Sequence, residues 1–307
     1  MEGCQGPEER KGKPHWLRRS LPCGPEYEKI RQLLKGRDLH TVCQEAKCPN
    51  QFECYAKGTA TFMILGDRCS RNCRFCAVQH LPPAPPDLTE PPRVAEAVAL
   101  LGLRYAVITS VTRDDLNDGG AGIFAETIRA IRDQIPDTLV EVLIPDLQGD
   151  RQALGTILEA RPHVLNHNVE TVPRLYSRVR PQANYRRSLQ LIRRVKKISP
   201  QMICKSGIML GLGETIEEVR KVWQDLRRNG CDILTMGQYL QPSASHLPVQ
   251  RFVPPEEFEE LKAEAQNHGF AGVASGPFVR SSYQAEKLYR QAVKNYHEEK
   301  LCCPTKK

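Results

Sequence analysis

From about residue 59 to residue 268, short apolar runs and longer stretches of helical periodicity take turns along this chain. Thr59–Leu65 (TATFMIL) predicts a buried strand, and Val94, Ala97, Val98 and Leu101 then recur at the i, i+3, i+4, i+7 spacing of an amphipathic helix. Tyr105–Val111 predicts a second strand, followed by a helix with Ile123, Ile128, Ile131 and Ile135 near one face. The alternation continues with strands over Leu139–Ile144, Val164–Val169, Met202–Leu210 and Ile233–Leu240. The helices between and after them lie near Arg151–Ala160, through Leu191, Ile192, Val195 and Ile198, through Ile216, Val219, Trp223 and Leu226, and through Phe258, Leu261 and Ala265. Thr215 and Glu218 are spaced as a capping box for the helix that buries Trp223.

Six strand–helix alternations imply an α/β fold with a parallel sheet and crossover helices. Six units fall short of the eight that close a complete barrel, so a partial (β/α)6 TIM-like barrel with a lateral cleft is expected. A doubly wound sheet is the alternative, since strand count alone does not separate the two. The flanks differ in texture. Residues 1–58 read as an N-terminal extension broken by Pro14, Pro22 and Pro25, with a short helix over Glu26–Lys35. Residues 59–270 form the barrel, with Pro82–Pro92 as a proline-rich connector. Residues 271–307 read as a C-terminal extension: a short strand from Ala271, Arg280-Ser281-Ser282-Tyr283, a helix over Ala285–Tyr296, and a frayed end with Cys302 and Cys303.

Composition adds limits. The 307 residues are 40% apolar and 26% charged, enough to bury a sizeable core. No apolar run reaches the roughly 18 residues of a membrane span. Met1–Arg19 is polar, lacks an apolar segment and mixes acids with bases, so it reads as neither a secretory signal nor a transit peptide. A cytoplasmic protein with reduced thiols is expected, with no membrane partner. The net charge of +8 suits an acidic partner. The dense basic stretch from Arg174 to Lys197 reads as a solvated helix face rather than a nucleic-acid stripe.

The candidate chemistry lies between Cys43 and Cys76, which hold six of the twelve cysteines. They form two triplets, Cys43-x4-Cys48-x5-Cys54 and Cys69-x3-Cys73-x2-Cys76. A disulfide framework belongs mainly to short secreted chains. A structural zinc site normally takes four ligands, whereas a four-iron cluster held by three cysteines keeps one iron open. Two triplets therefore point to two clusters, each with one position filled by something other than cysteine. Arg68, Arg71 and Arg74 surround the second triplet, and nearby cations favour thiolate.

The second triplet, in the loop after the first strand, resembles the motif of the radical S-adenosylmethionine (SAM) enzymes. With the first triplet upstream, the chain is similar to the lipoyl synthase family. So are HTVCQEAKCPNQFEC (40–54), ITSVTRDDLNDGG (108–120), NHNVETVPRLYSRVRP (166–181), KSGIMLGLGE (205–214), DILTMGQYLQPS (232–243) and VRSSY (279–283). The likeness spans about residues 14–290, with Asn117 and Ser206 as mild departures that remove no ligand.

The resemblance implies two 4Fe-4S clusters and SAM as cofactors. Cys69, Cys73 and Cys76 would hold the cluster whose open iron chelates SAM. Reductive cleavage there gives a 5′-deoxyadenosyl radical. Cys43, Cys48 and Cys54 would hold an auxiliary cluster consumed as sulfur donor, its fourth ligand a serine of the RSSY motif, Ser282 or else Ser281. A hard alkoxide matches soft iron–sulfide poorly and leaves readily. Gly119 and Gly120 correspond to the family's contact with the SAM amino group, Asn168 and Glu170 to further SAM contacts, and Arg180 and Arg280 to charge neutralisation. The implied substrate is an octanoyl-lysine on a lipoyl carrier domain, of a dehydrogenase E2 subunit or the glycine cleavage H protein, with a low-potential electron donor. No nucleic-acid partner is implied. His40, His163, His167 and His246 receive no role, and Cys204 and Cys231 read as small buried residues.

Overall fold

The structure, a computed structural model, describes residues 13–18, 25–56 and 60–302. The N-terminal segment comprises α1 (Pro25–Gly36), a two-residue strand β1 (His40–Thr41), α2 (Val42–Glu45) and α3 (Gln51–Ala56). Then come β2 (Thr61–Ile64), α4 (Glu90–Leu100), β3 (Tyr105–Ser110), α5 (Ala121–Gln134), β4 (Leu139–Leu143), α6 (Arg151–Glu159) and β5 (Val164–Asn166). The remainder is α7 (Tyr176–Val179), α8 (Tyr185–Ile198), β6 (Ile203–Leu210), α9 (Ile216–Arg228), β7 (Ile233–Gln238), α10 (Pro255–Asn267), β8 (Gly272–Gly276) and α11 (Ala285–Cys302). Cys4, Cys23 and Cys303 lie outside the described residues.

The strands form one sheet ordered β1 to β8 in sequence, with β2 to β8 parallel and β1 antiparallel on the β2 edge. All six expected strand–helix units are present. Sequential order with parallel pairing is that of an incomplete barrel, not of a doubly wound sheet, whose strand order reverses at a switch point. β8 adds a seventh parallel strand, paired Ile233↔Gly272 to Gly237↔Gly276. Strands β2, β3, β6 and β7 are buried almost throughout, as a sheet covered on both faces requires. Ile30, Leu34, Cys43 and Tyr55 of the N-terminal segment share one continuous core with the sheet.

Two local expectations need correction. Pro91 and Pro92 lie inside α4, at its first turn, where proline's missing N–H costs no hydrogen bond. The fifth strand ends at Asn166: beyond it Glu170 turns to φ +65° and rejoins the sheet only by a bridge to Ile208. α8 runs through Leu191, Ile192, Val195 and Ile198 as expected, with Ile198 exposed at its end. The capping box is formed, Thr215 accepting from Glu218 N–H and Glu218 from Thr215 N–H.

Helix α11 fills the lower end of the open barrel. Leu288 and Ala292 pack with Val164, Ile203 and Ile233, the first residues of three strands, and Ala285 packs on Tyr105 and Val107 of β3. Above this apolar layer lies a buried polar one. Lys205 Nζ donates to both carboxylate oxygens of Glu141 at 2.9 and 3.3 Å, and Asn166 and Tyr105 donate to the same carboxylate. Among the described residues no helix is long and apolar enough to cross a membrane.

Candidate active site

A cavity of about 540 Å³ opens over the C-terminal ends of the strands. Cys43, Cys48, Cys69, Cys73 and Cys76 line it, together with Asn168, Glu170, Arg180, Arg280, Ser281 and Ser282. Residues from both ends of the chain and from its middle thus meet in one space, as ligands in βα architectures do.

The second triplet lies in the loop leaving β2, which is braced on several sides. Arg71, 3% exposed, bonds Asp114 through Nε and Nη2 at 2.6 and 2.9 Å and Asp146 through Nη2 at 2.6 Å. Its charge is therefore engaged by two carboxylates and fixes the loop. Thr112 N–H donates to Cys69 Sγ at 3.3 Å, a bond that favours thiolate. Arg74 N–H donates to Val179 O at 2.9 Å and Asn72 N–H to Gln182 Oε1 at 2.6 Å. Burial pushes the Cys76 thiol up to about 12 and the Cys73 thiol up to about 11, with Arg180 opposing the rise at Cys73.

The first triplet spans α2 and α3. Thr41 caps α2, its Oγ1 accepting from Gln44 N–H at 3.3 Å. Burial pushes the Cys43 thiol up to about 12, and Cys48 and Cys54 stand near enough to add to that rise. Cys54 is held against the core without lining the cavity. Asn50, buried between the second and third cysteines, donates through Nδ2 to Phe278 O at 2.7 Å. This bond joins the N-terminal segment to the chain leaving β8.

The segment after β8 brings in the serines. Ser281 Oγ accepts from Asn168 Nδ2 at 2.6 Å, and Ser282 lines the cavity beside it. Asn168 Nδ2 also donates to Glu170 Oε1 at 3.1 Å, leaving Asn168 Oδ1 buried with no partner. Burial raises the Glu170 carboxyl above its ordinary range, against the pull of Arg180 and Arg280. Arg180, 8% exposed, donates to the carbonyls of Asn168 and Val169 and stands 5.4 Å over the Tyr176 ring.

Gly119 and Gly120 are not among the lining residues. They start α5 with φ of +60° and +87°, and a Cβ on Gly120 would fall 2.3 Å from Leu65 Cδ1. Gly207 on β6 is a contrasting case: a Cβ there would lie 2.9 Å from Asn168 Oδ1, so its absence opens the cavity wall. His167 also lines the cavity, but Nδ1 donates to Ile144 O and Nε2 accepts from Ser188 Oγ, both at 2.9 Å. That leaves neither nitrogen for a ligand. Sequence reasoning missed Gln238, Tyr239 and Gln241, which carry the chain over the cavity after β7; the run DILTMGQYLQPS was the available signal.

The donor set suits iron–sulfur clusters. Soft sulfurs come in two groups of three, with a hydroxyl facing the same space. Among the described residues no group of three His, Cys, Asp or Glu is placed to hold a single metal ion. Asn168 Oδ1, buried without a partner beside Gly207, is an acceptor left open in the cavity wall.

Comparison with known proteins agrees. The radical SAM superfamily model matches residues 63–226, and the model for the N-terminal domain of lipoyl synthase matches residues 4–48. The lipoyl synthase of Desulfotalea psychrophila is 70% identical over 283 residues, covering 92% of this chain and 95% of that protein. That of Symbiobacterium thermophilum is 57% identical over 281 residues, covering 92% and 88%. Among solved structures, the FeFe-hydrogenase maturase HydG superposes with a TM-score of 0.57 at 16% identity, over 75% of this chain and 54% of that one. Streptococcus suis SuiB bound to S-adenosylmethionine gives 0.52 at 10% identity, over 71% and 51%. These two share the fold. With relatives this similar along nearly its whole length, the chain belongs to the lipoyl synthase family, radical SAM sulfurtransferases that work with SAM and two 4Fe-4S clusters.

Proposed function

We propose that Cys69, Cys73 and Cys76 hold the SAM-binding 4Fe-4S cluster, that Cys43, Cys48, Cys54 and Ser282 hold the auxiliary one, and that between them an octanoyl-lysine receives sulfur at C6 and C8. The observation that carries this reading is that five of the six triplet cysteines line one cavity with Ser282, while Cys54 stands near Cys43 behind its wall. When bound, the first cluster supplies the electron that cleaves SAM and the auxiliary cluster supplies sulfur. The chain's own residues do the rest. Asn168 Oδ1 accepts a hydrogen bond from SAM, and Glu170 offers its carboxylate to a SAM amino or ribose group. Arg180, buried beside Cys73, offsets the thiolate charge that builds there. Gly119 and Gly120 act indirectly: their turn lets Leu65, where the loop carrying the second triplet begins, pack against the start of α5. Met63, Phe75, Leu143, Ile144 and Met209 give the cavity the apolar wall an acyl chain requires and keep water from a carbon radical.

The carrier is an octanoylated lipoyl domain, that of a dehydrogenase E2 subunit or the glycine cleavage H protein. A low-potential donor supplies electrons in the cytoplasm. The deciding experiment is anaerobic turnover of reconstituted protein with SAM, a reductant and an octanoyl-lysine peptide, followed by mass spectrometry. Two sulfurs in the peptide are expected. Deoxyadenosine without sulfur in the peptide overturns the reading. About eight irons per chain follow from two four-iron clusters, and Cys54→Ser should reduce this to about four.

A further inference from the structure

After β7 the chain crosses the top of the barrel as segment 239–250 before returning to α10. This strap is locked on itself: Tyr239 OH donates to Leu247 O at 2.7 Å and Gln241 Nε2 to His246 O at 2.9 Å. It then reaches the loop of the second cysteine triplet at two points. Leu247 N–H donates to Arg74 O at 3.2 Å, and the His246 ring, through Nε2, meets Cys76 O at 2.9 Å.

We propose that His246 is a positioning residue for the SAM-binding site: it fixes the peptide of Cys76 and with it the direction of the third thiol. This rests on the reading that Cys69, Cys73 and Cys76 hold the SAM-binding cluster. A carbonyl oxygen only accepts, so Nε2 carries the hydrogen and donates to Cys76 O. Ser243 Oγ lies 2.8 Å from Nδ1, and its hydroxyl can pair with that nitrogen, which completes the chain Ser243–His246–Cys76. Cys76 N–H is already committed to Cys73 O at 3.0 Å, which closes the turn between the last two cysteines. With its N–H in the turn and its carbonyl on His246, the two peptide planes that flank the Cys76 Cα are both held, and this restrains the direction in which its side chain leaves the backbone. The bond spans 170 positions in sequence, so the strap from the seventh strand sets a loop that follows the second. Such outer partners of metal ligands orient them, and their loss typically costs about 10–100-fold in affinity or activity.

The test uses the full-length protein with both clusters reconstituted, as His246→Ala and His246→Gln. Three readouts are taken: hydrogen exchange of amides 72–78, the Kd for SAM with the spectrum of the reduced cluster, and the rate of deoxyadenosine formation. His246→Ala is expected to speed exchange at 72–78, to weaken SAM binding roughly tenfold and to alter the reduced-cluster spectrum. His246→Gln keeps an N–H that reaches the same carbonyl and should recover most of the loss. Wild-type exchange and SAM affinity in His246→Ala overturn the proposal, as does a glutamine variant as impaired as the alanine one. If the alanine variant loses iron, the glutamine variant decides: near-normal SAM affinity supports the role, and a loss equal to alanine's removes it. Failure of the underlying reading shows differently, as wild-type protein that does not bind SAM.

Discussion

Ser281 and Ser282 are neighbours with different surroundings. Asn168 engages the first hydroxyl at 2.6 Å, while the second lines the cavity that Cys43 and Cys48 also line. Ser282→Ala should therefore abolish sulfur insertion and leave deoxyadenosine formation standing, whereas Ser281→Ala should disturb SAM affinity through Asn168 and slow both. Mass spectrometry of the peptide with parallel deoxyadenosine assay separates them; equal loss of both products in Ser282→Ala contradicts the assignment. The other residue-level test concerns His167. Burial lowers its pKa to about 4, whereas the unfolded chain titrates near 6.5. Between those values the unfolded state binds more protons, so stability falls as pH drops through that window, by at most about 3 kcal/mol. His167→Asn, which keeps a donor for Ile144 O, should flatten this slope in urea unfolding at stepped pH. The cysteine triplets stand out in the sequence because their spacing is local. The engagement of Arg71 by Asp114 and Asp146, and of Ser281 by Asn168, does not, since those partners are distant in sequence.

The strand–helix units were legible where apolar runs are dense, as in β3 and β6. β8 has only Val273 and Ala274 between glycines and a serine, so its pattern is faint; pairing along β7, not its own composition, makes it a strand. The fifth strand read too long because Val169 stays apolar and buried after the ladder has ended. α11 gives a prediction of its own. Its inner face is seated on the first residues of β5, β6 and β7, only two residues downstream of Tyr283. Leu288→Ala should cost about 2–5 kcal/mol as a core truncation and loosen the serine segment. Denaturant unfolding measures the first effect. A larger fall in sulfur insertion than in deoxyadenosine formation reveals the second, and proportional falls in both would show that α11 only stabilises the barrel.

Charge acts over longer distances than any of these contacts. With a net +8, the protein should attract an acidic carrier by long-range steering, which salt screens beyond about 8–10 Å. The KM for an acidic octanoylated carrier should rise as salt increases from about 50 to 300 mM, a range over which the Debye length shortens from roughly 14 to roughly 6 Å. A neutral octanoyl-lysine peptide should show little change; equal salt dependence for both would place the effect in the cavity.

The hydrogen bond from Asn50 to Phe278 has a consequence for an enzyme that spends part of its own site. Cys43–Cys54 and Ser282 lie on opposite sides of the barrel in sequence, so anything they bind together is a staple between two distant parts of the chain. Each removal of that staple returns conformational freedom to both. The Asn50 bond is made by the chain alone, buried and independent of what the cavity holds. It acts as a latch between the two flanks, so that they stay in register whether or not the proposed cluster is in place; Asn50→Ala should loosen them most when the cluster is absent.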